Sequence, residues 1–410
     1  MLTIEDQNDL FESLCVLIED YIDLNINQYI QPSFHASVVK DITNTFLNTF
    51  VAAELEAEDL ISEALVERAM ALFYKHITPP RSSGPTFIRM VPNIKKMRTK
   101  IAYLQNVPQP EQRTQAWYEF RYKHLTASNI WKVFISESTR NQLIYEKCQP
   151  LNTGKFNSVS LESPMHWGQK YEPLSVMLYE EIYKAKVSDF GCIPHKTLEF
   201  LAASPDGIVT QETSMRYGRM LEVKNIVNRE ITGIPKMEYW VQMQIQMEVC
   251  ELNECDFLET RFIEYASKEM YDSDMCNSDM CTMSNSATPQ YKGMMMLFMS
   301  MSGKPIYEYA PLNESSEEAW QDQMMEKNHT LTWIKNIYWK LDQLSCVLVL
   351  RNKMWFASVV PQLKNIWLTI EKEKQSGYNH RQPKKAGIKV KKLSSTEDDI
   401  EMKSQCFISI

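Results

Sequence analysis

Two features absent from this 410-residue chain each remove a class of function. No apolar run approaches the eighteen or so residues that a membrane-spanning helix needs. The start, Met1-Leu2-Thr3-Ile4-Glu5-Asp6, is acidic and lacks the basic region that opens a secretory signal. Both absences point to a soluble protein that is neither embedded in a membrane nor secreted. An excess of positive charge is missing too: 44 Lys and Arg stand against 52 Asp and Glu, a formal net charge of −8. On its face that balance speaks against a nucleic-acid partner, but its distribution matters more than its sum. Residues 1–80 hold fourteen acidic residues and three basic ones, a balance of −11, which leaves +3 on the other 330 residues.

Closely spaced metal-binding cysteines are also lacking. Cys250, Cys255, Cys276 and Cys281 form two pairs, each with four intervening residues, whereas tight metal sites usually use shorter spacing or recognised cluster patterns. Reduced thiols of an intracellular protein are the expectation, and an iron–sulfur cluster is not.

What the chain does have is Ser204-Pro205-Asp206-Gly207 and, sixteen positions after the aspartate, Glu222-Val223-Lys224. Ile208-Val209-Thr210 and Met220-Leu221 read as two strands joined by a hairpin, which sets Asp206 beside Glu222. Alternation puts Glu222 and Lys224 on one face of the strand and Leu221 and Val223 on the other. Two carboxylates and a lysine on one face suit a hard divalent ion such as Mg²⁺, with Mn²⁺ as a substitute, and the cutting of a phosphodiester. An ordinary surface hairpin with a salt bridge competes with that reading on these residues alone.

Further blocks flank the motif. Arg121 precedes Thr126-Ala127-Ser128, where Thr126 or Ser128 is expected to cap a helix running through Val133 and Phe134. Trp167-Gly168-Gln169-Lys170-Tyr171-Glu172-Pro173 leads into a helical pattern, with Glu172 expected at its start as a third carboxylate. Tyr239 to Leu252 reads as a helix whose glutamines are expected to face the site.

Taken together, these blocks resemble the YqaJ-type viral recombinases, the lambda-exonuclease branch of the PD-(D/E)xK nucleases, over about residues 100–265. The resemblance implies an α/β (α+β) fold, a restriction-endonuclease-like core in which helices flank a central mixed sheet. It implies Mg²⁺-dependent degradation of linear double-stranded DNA from 5′ ends. Glu172, Asp206 and Glu222 would hold metal with the carbonyl of Val223, Lys224 would assist the water, and Gln242 would support the site. Arg121 and Ser128, with Thr126 beside them, would grip the terminal phosphate. The chain departs from the family pattern in a longer hairpin between Asp206 and Glu222, and in Asn225, where cysteine followed by proline is frequent. The added segments look more like a large DNA virus than a phage, in host cytoplasm or nucleus, and a single-strand annealing or replication protein and a second copy of the chain are candidate partners. A structure-selective endonuclease on the same core, and a catalytically silent DNA-binding or scaffold protein, are the alternatives.

The rest of the chain divides by pattern. Residues 1–80 read as a helical domain, with Leu10, Phe11, Leu14, Leu17, Ile18, Tyr21 and Ile22 at helical spacing. Residues 81–100 read as a basic linker whose Lys95, Lys96, Arg98 and Lys100 either track a DNA backbone or are simply solvated. The nuclease core is expected over 101–312, with a polar insertion at about 270–290 and two strands, Gly293–Met299 and Lys304–Tyr309, finishing the sheet. C-terminal helices over 313–372 follow: a capping box from Ser315 and Glu318 opens a long helix carrying Trp320, Trp333, Ile334, Ile337, Tyr338 and Leu341. A charged, disordered tail is expected over 373–410.

Overall fold

The computed structural model describes residues 4–52, 63–84, 93–151, 161, 163–274, 291–312 and 316–382. Three amphipathic helices come first: α1 (Ile4–Leu24), α2 (Phe34–Ala52) and α3 (Glu63–His76), with a 3-10 turn at Ile26–Ile30. There follow α4 (Ile94–Asn106), α5 (Gln115–Tyr122), β1 (Leu125–Thr126), α6 (Ala127–Ile130), α7 (Lys132–Ile135), α8 (Glu137–Cys148) and α9 (Pro164–Tyr183). Short strands β2 (Val187–Ser188), β3 (Ile193–Pro194), β4 (Leu201–Ala203) and β5 (Gly207–Val209) lead to β6 (Met220–Asn225), α10 (Met237–Cys250) and β7 (Glu254–Glu264). The chain continues with α11 (Lys268–Ser273), β8 (Lys292–Met299), β9 (Pro305–Tyr309), α12 (Glu317–Lys327), β10 (Thr332–Leu350) and α13 (Lys353–Ser376).

Seven strands form one mixed sheet in the order β2-β5-β6-β7-β10-β8-β9, and β1-β4-β3 form a smaller one. In the large sheet β6 and β7 are the parallel pair, joined through α10 as a parallel connection requires. Two helices cover opposite faces at this point. Leu221 and Val223 pack with Tyr179 of α9, whereas Met220 packs with Trp240, Val241 and Ile245 of α10. This is a central mixed sheet flanked by helices, an α/β architecture.

The local sequence accounts for the hairpin. Gly207 is required because a Cβ there would lie 2.2 Å from Val187 Cγ1 of the neighbouring strand, and Gly218 takes the turn at φ +77°. Behind the hairpin, buried Asp256 accepts from Arg219 Nη1 at 3.0 Å and Tyr179 Oη at 2.7 Å and pairs with Arg216, fastening β6 to β7 and α9.

The N-terminal helices bury one stripe each, including Leu14, Ile18, Ile22, Val38, Ile42, Val66 and Phe73, in the same hydrophobic cluster as Trp240 and Trp355. Each such side chain contributes about 1.5–3 kcal/mol by leaving water. Arg81 closes the contact, its guanidinium donating to the carbonyls of Tyr29 and Ile30 at 3.3 and 3.2 Å and its backbone carbonyl accepting from Trp240 Nε1 at 3.1 Å.

Several expectations are corrected. Residues 332–350 form the 19-residue strand β10, not a helix, pairing with β7 on one side and β8 on the other. Ile337, Trp339 and Leu341 alternate into one cluster while Tyr338 faces the cluster under α12, a period of two that the richer helix-like spacing conceals. The sheet therefore runs past residue 312, and β10 separates β7 from the β8–β9 pair. Part of the expected basic linker is helix α4, capped by Asn93. Helix α9 begins at Pro164 behind the Ser163 cap, so Glu172 sits in mid-helix rather than at a helix start. The stretch after Thr126 is two four-residue helices, α6 and α7, and the Thr126 side chain makes no cap bond. Helix α12 is capped by Ser316, and Ser315 lies outside the described residues, as do Cys276, Cys281 and 383–410. Within the expected tail, Ser376 still ends α13 and Arg381 pairs with Glu373.

Candidate active site

The end of β6 and the start of β5 meet at one edge of the sheet, because the two strands are antiparallel with Gly207 opposite Leu221. Asp206 precedes β5, and its Oδ2 accepts from the backbone N–H of Val223 at 2.8 Å, which locks the carboxylate to the neighbouring strand. Glu222 is fully buried. Its Oε1 accepts from Gln242 Nε2 at 2.6 Å and pairs with Lys224, and its Oε2 accepts from Gln246 Nε2 at 2.7 Å. Gln246 also reaches the carbonyl of Ser204 at 3.1 Å, so α10 holds both halves of the motif.

Helix α9 brings Glu172 to the same edge from the other face. Both of its oxygens accept from Arg113 Nη2, at 3.0 and 2.8 Å. Asn225 explains its own presence: its Nδ2 donates to the carbonyl of Gly168 at 2.9 Å while its Oδ1 accepts from Ser175 and Thr260, each at 2.7 Å. The residue thus clamps α9 against β6 and β7, fixing where Glu172 points.

Electrostatically the edge carries more buried negative charge than its surroundings neutralise. Burial, then the charge of Asp206, push Glu172 up to about 7, against the opposing pull of Arg113 and Lys224. Burial and Asp206 likewise push Glu222 up to about 7, against Lys224 and Gln246. For Lys224 burial works the other way, but Glu222 and Asp206 outweigh it and hold the ammonium well above its usual range. In the metal-free protein Lys224 is therefore held as the ammonium, a hydrogen-bond donor. Among the described residues no three His, Cys, Asp or Glu side chains converge as a ready metal cage; Glu172 and Glu222 are instead engaged by Arg113 and Lys224. The donor set is hard oxygen, and its mutual repulsion is of the kind a divalent cation relieves, so the residues fit Mg²⁺ or Mn²⁺.

A cleft of about 570 Å³ opens over this edge, lined among others by Arg113, Trp117, Arg121, Ser128, Glu172, Asp206, Val223, Lys224, Arg229 and Gln242. Arg121 lies over the Trp117 ring at 4.1 Å and donates to Ser128 Oγ at 2.8 Å. Buried Lys147 secures this arm by donating to the carbonyls of Arg121 and His124, both at 2.6 Å. Burial, and then the Arg121 and Lys374 charges, bring Lys147 down to about 7.

The cleft thus gathers Glu172, Asp206, Val223, Lys224, Gln242, Arg121 and Ser128. Glu222 lies buried behind Lys224 and outside the lining, and Thr126 is buried away from it. The basic stretch does not join the cleft. Arg98 pairs with Glu212 and Lys100 with Glu251, while Lys95 and Lys96 are exposed on α4. Arg113, Trp117 and Arg229 were not anticipated, whereas Gln246 is one of the glutamines expected to face the site and does so. Trp117 stands four residues from Arg121 on its helix, as Gln246 does from Gln242, a spacing that could have revealed it. No motif marks Arg113 or Arg229. Gln244 turns away, bonding to the Leu350 carbonyl at 2.9 Å and the Asn352 N–H at 2.7 Å. Cys250 and Cys255 are buried in the core.

Residues 116–253 match the YqaJ-like viral recombinase domain. An uncharacterized protein of Acanthamoeba polyphaga mimivirus is 27% identical over 342 residues, covering 74% of this chain and 60% of that protein. The chain therefore spans about 60% of the length of that curated relative. An alkaline exonuclease (LHK-Exo) from Laribacter hongkongensis superposes with a TM-score of 0.38 at 19% identity, over 64% of this chain and 95% of that one. Its complex with dAMP gives 0.37 at the same identity and coverage. At these scores the superpositions assign no role to any residue. No described helix is long and apolar enough to cross a membrane.

Proposed function

We propose that this chain, which carries a YqaJ-like viral recombinase domain over residues 116–253, is a divalent-metal-dependent deoxyribonuclease that degrades linear duplex DNA from its 5′ ends. The observation that carries the reading is the joint placement of Glu172, Asp206 and Lys224 in one cleft, with Glu222 buried behind Lys224. Glu172, Asp206, Glu222 and the carbonyl of Val223 would hold the ion. Mg²⁺ held there would supply an acidified water and neutralise charge developing on the phosphate oxygens.

The chain's own groups do the rest. Lys224, kept cationic by Glu222, donates hydrogen bonds to the attacking water or to a non-bridging phosphate oxygen and stabilises the charge that develops there. Gln242 and Gln246 fix Glu222, and so fix Lys224. Arg121, held over the Trp117 ring, and Ser128 receive the terminal phosphate, which selects an end over continuous duplex. Arg229, paired with Glu259 and lying 5.6 Å from the Tyr239 ring centre, adds positive charge along the cleft wall.

The substrate comparison that tests this uses one plasmid in two forms, linearised and covalently closed, with Mg²⁺. Degradation of the linear form with the circle left intact is the expected result. Efficient nicking or cutting of the closed circle would replace the exonuclease with an endonuclease on the same site.

A further inference from the structure

Arg113 is a cation in the cleft that the reaction above does not use. Its Nη2 contacts both oxygens of Glu172, at 3.0 and 2.8 Å, leaving neither oxygen unengaged. Its backbone is unusual, with φ at +66°, the left-handed region that side-chain-bearing residues rarely occupy. The turn around it is fixed on both sides. Gln112 Nε2 donates to the carbonyls of Phe190 and Pro205 at 2.9 and 3.1 Å, and Thr114 caps α5 by accepting from Trp117 N–H at 3.2 Å. The side chain itself is 43% exposed. An arginine on a rigid, strained turn with a half-exposed side chain can swing without moving the loop that carries it.

Its position gives that swing a destination. Arg113 lines the cleft shared by Arg121, Lys224 and Arg229, and it also borders an adjoining hollow of about 660 Å³ on the other side of Glu172 and Asp206. That second hollow is bordered by Glu111, Glu180 and Asp189, which would repel a nucleic-acid phosphate. A guanidinium displaced from Glu172 therefore meets a phosphate in the first cleft.

From this we infer that Arg113 is a placeholder cation: it neutralises Glu172 in the metal-free protein and, once displaced, binds a DNA phosphate beside Lys224. The inference rests on Glu172 being a metal ligand. One carboxylate then serves two cations in turn, and metal uptake releases a phosphate-binding group into the substrate cleft. Arg113 acts as a positioning and substrate-binding residue.

Arg113→Gly tests it, since glycine accepts the left-handed backbone and so removes the guanidinium without threatening the fold. Titration calorimetry with Mg²⁺ alone is expected to show metal binding about three- to tenfold tighter in Arg113→Gly than in wild type, as a half-exposed competing ion pair is lost. Binding of a 5′-phosphorylated duplex, with Ca²⁺ replacing Mg²⁺, is expected to weaken about tenfold, and its log–log salt slope to fall by about 0.9, one phosphate contact. Arg113→Lys should recover much of the DNA affinity, because its charge still reaches the phosphate. Equal Mg²⁺ affinity in wild type and Arg113→Gly, or unchanged duplex affinity, would overturn the inference while leaving the nuclease reading intact. Failure of wild type to take up Mg²⁺, with Glu172→Gln indistinguishable from it, would remove both.

Discussion

Replacing Gln246 with leucine isolates the support under the buried carboxylate. Gln246 is fully buried, and its Nε2 serves Glu222 Oε2 at 2.7 Å and the Ser204 carbonyl at 3.1 Å. Leucine is of similar size, so the change removes donors rather than volume. A hydrogen bond to an ionised group contributes about 1.5–3 kcal/mol, and a neutral one about 1 kcal/mol. The apolar gain of a buried leucine offsets about 1–2 kcal/mol of this. The net loss is therefore about 2 kcal/mol where Glu222 is charged. Glu222 titrates at about 7 in the folded chain, so below that value the carboxyl is neutral and the loss shrinks to about 1 kcal/mol or less. Urea denaturation of metal-free protein at pH 8 and pH 5.5 reads the difference. Gln244→Leu is the control: equally buried, it bonds only to the neutral backbone of Leu350 and Asn352. Equal destabilisation of Gln246→Leu at both pH values, or the same pH dependence in Gln244→Leu, would refute the reasoning.

Three other outcomes are expected. In metal-free protein Glu172 and Glu222 titrate at about 7 rather than the usual 4.5, so between those values the folded state holds more protons than the unfolded state. Stability should then fall as pH rises from about 4.5 to about 7, and Mg²⁺ should restore it more at pH 8 than at pH 5.5; a melting temperature rising with pH over that window, without metal, would contradict this. Asp256→Ala leaves Arg216 and Arg219 without their shared buried carboxylate and should cost about 3–5 kcal/mol in denaturant unfolding, with a loss below about 1 kcal/mol counting against the network. Gly207→Ala forces a Cβ toward Val187 Cγ1, at 2.2 Å in the unrelaxed geometry, and should displace Asp206 and slow cleavage, with Val187→Ala in the same chain restoring part of the rate.

The candidate site was legible where chemistry and local geometry coincide. Asp206, Glu222 and Lys224 are close in sequence, and strand alternation alone predicts which of them share a face. Gln242 follows from helical spacing, and Glu172 from the block around Trp167. Other parts depend on contacts that span the chain. Arg113 meets Glu172 fifty-nine positions away, from a turn with no motif and a backbone conformation that no residue preference announces. Strand β10 was misread because aromatic and branched residues at Trp333, Ile334, Ile337, Tyr338 and Leu341 satisfy a helical period and an alternating one together. Its 19 residues also exceed ordinary strand length. Only pairing with β7 and β8 decides between the two. The basic residues of α4 carried a charge signal, but Glu212 and Glu251, distant in sequence, consume half of it.

The most direct measurement is degradation of a linear duplex labelled at its 5′ or its 3′ end, with Mg²⁺ or with EDTA, by wild type and by Lys224→Ala. The account predicts mononucleotides released first from the 5′ label, with metal only and by wild type only, while Lys224→Ala keeps a wild-type circular dichroism spectrum. Full activity in EDTA or in Lys224→Ala would contradict it.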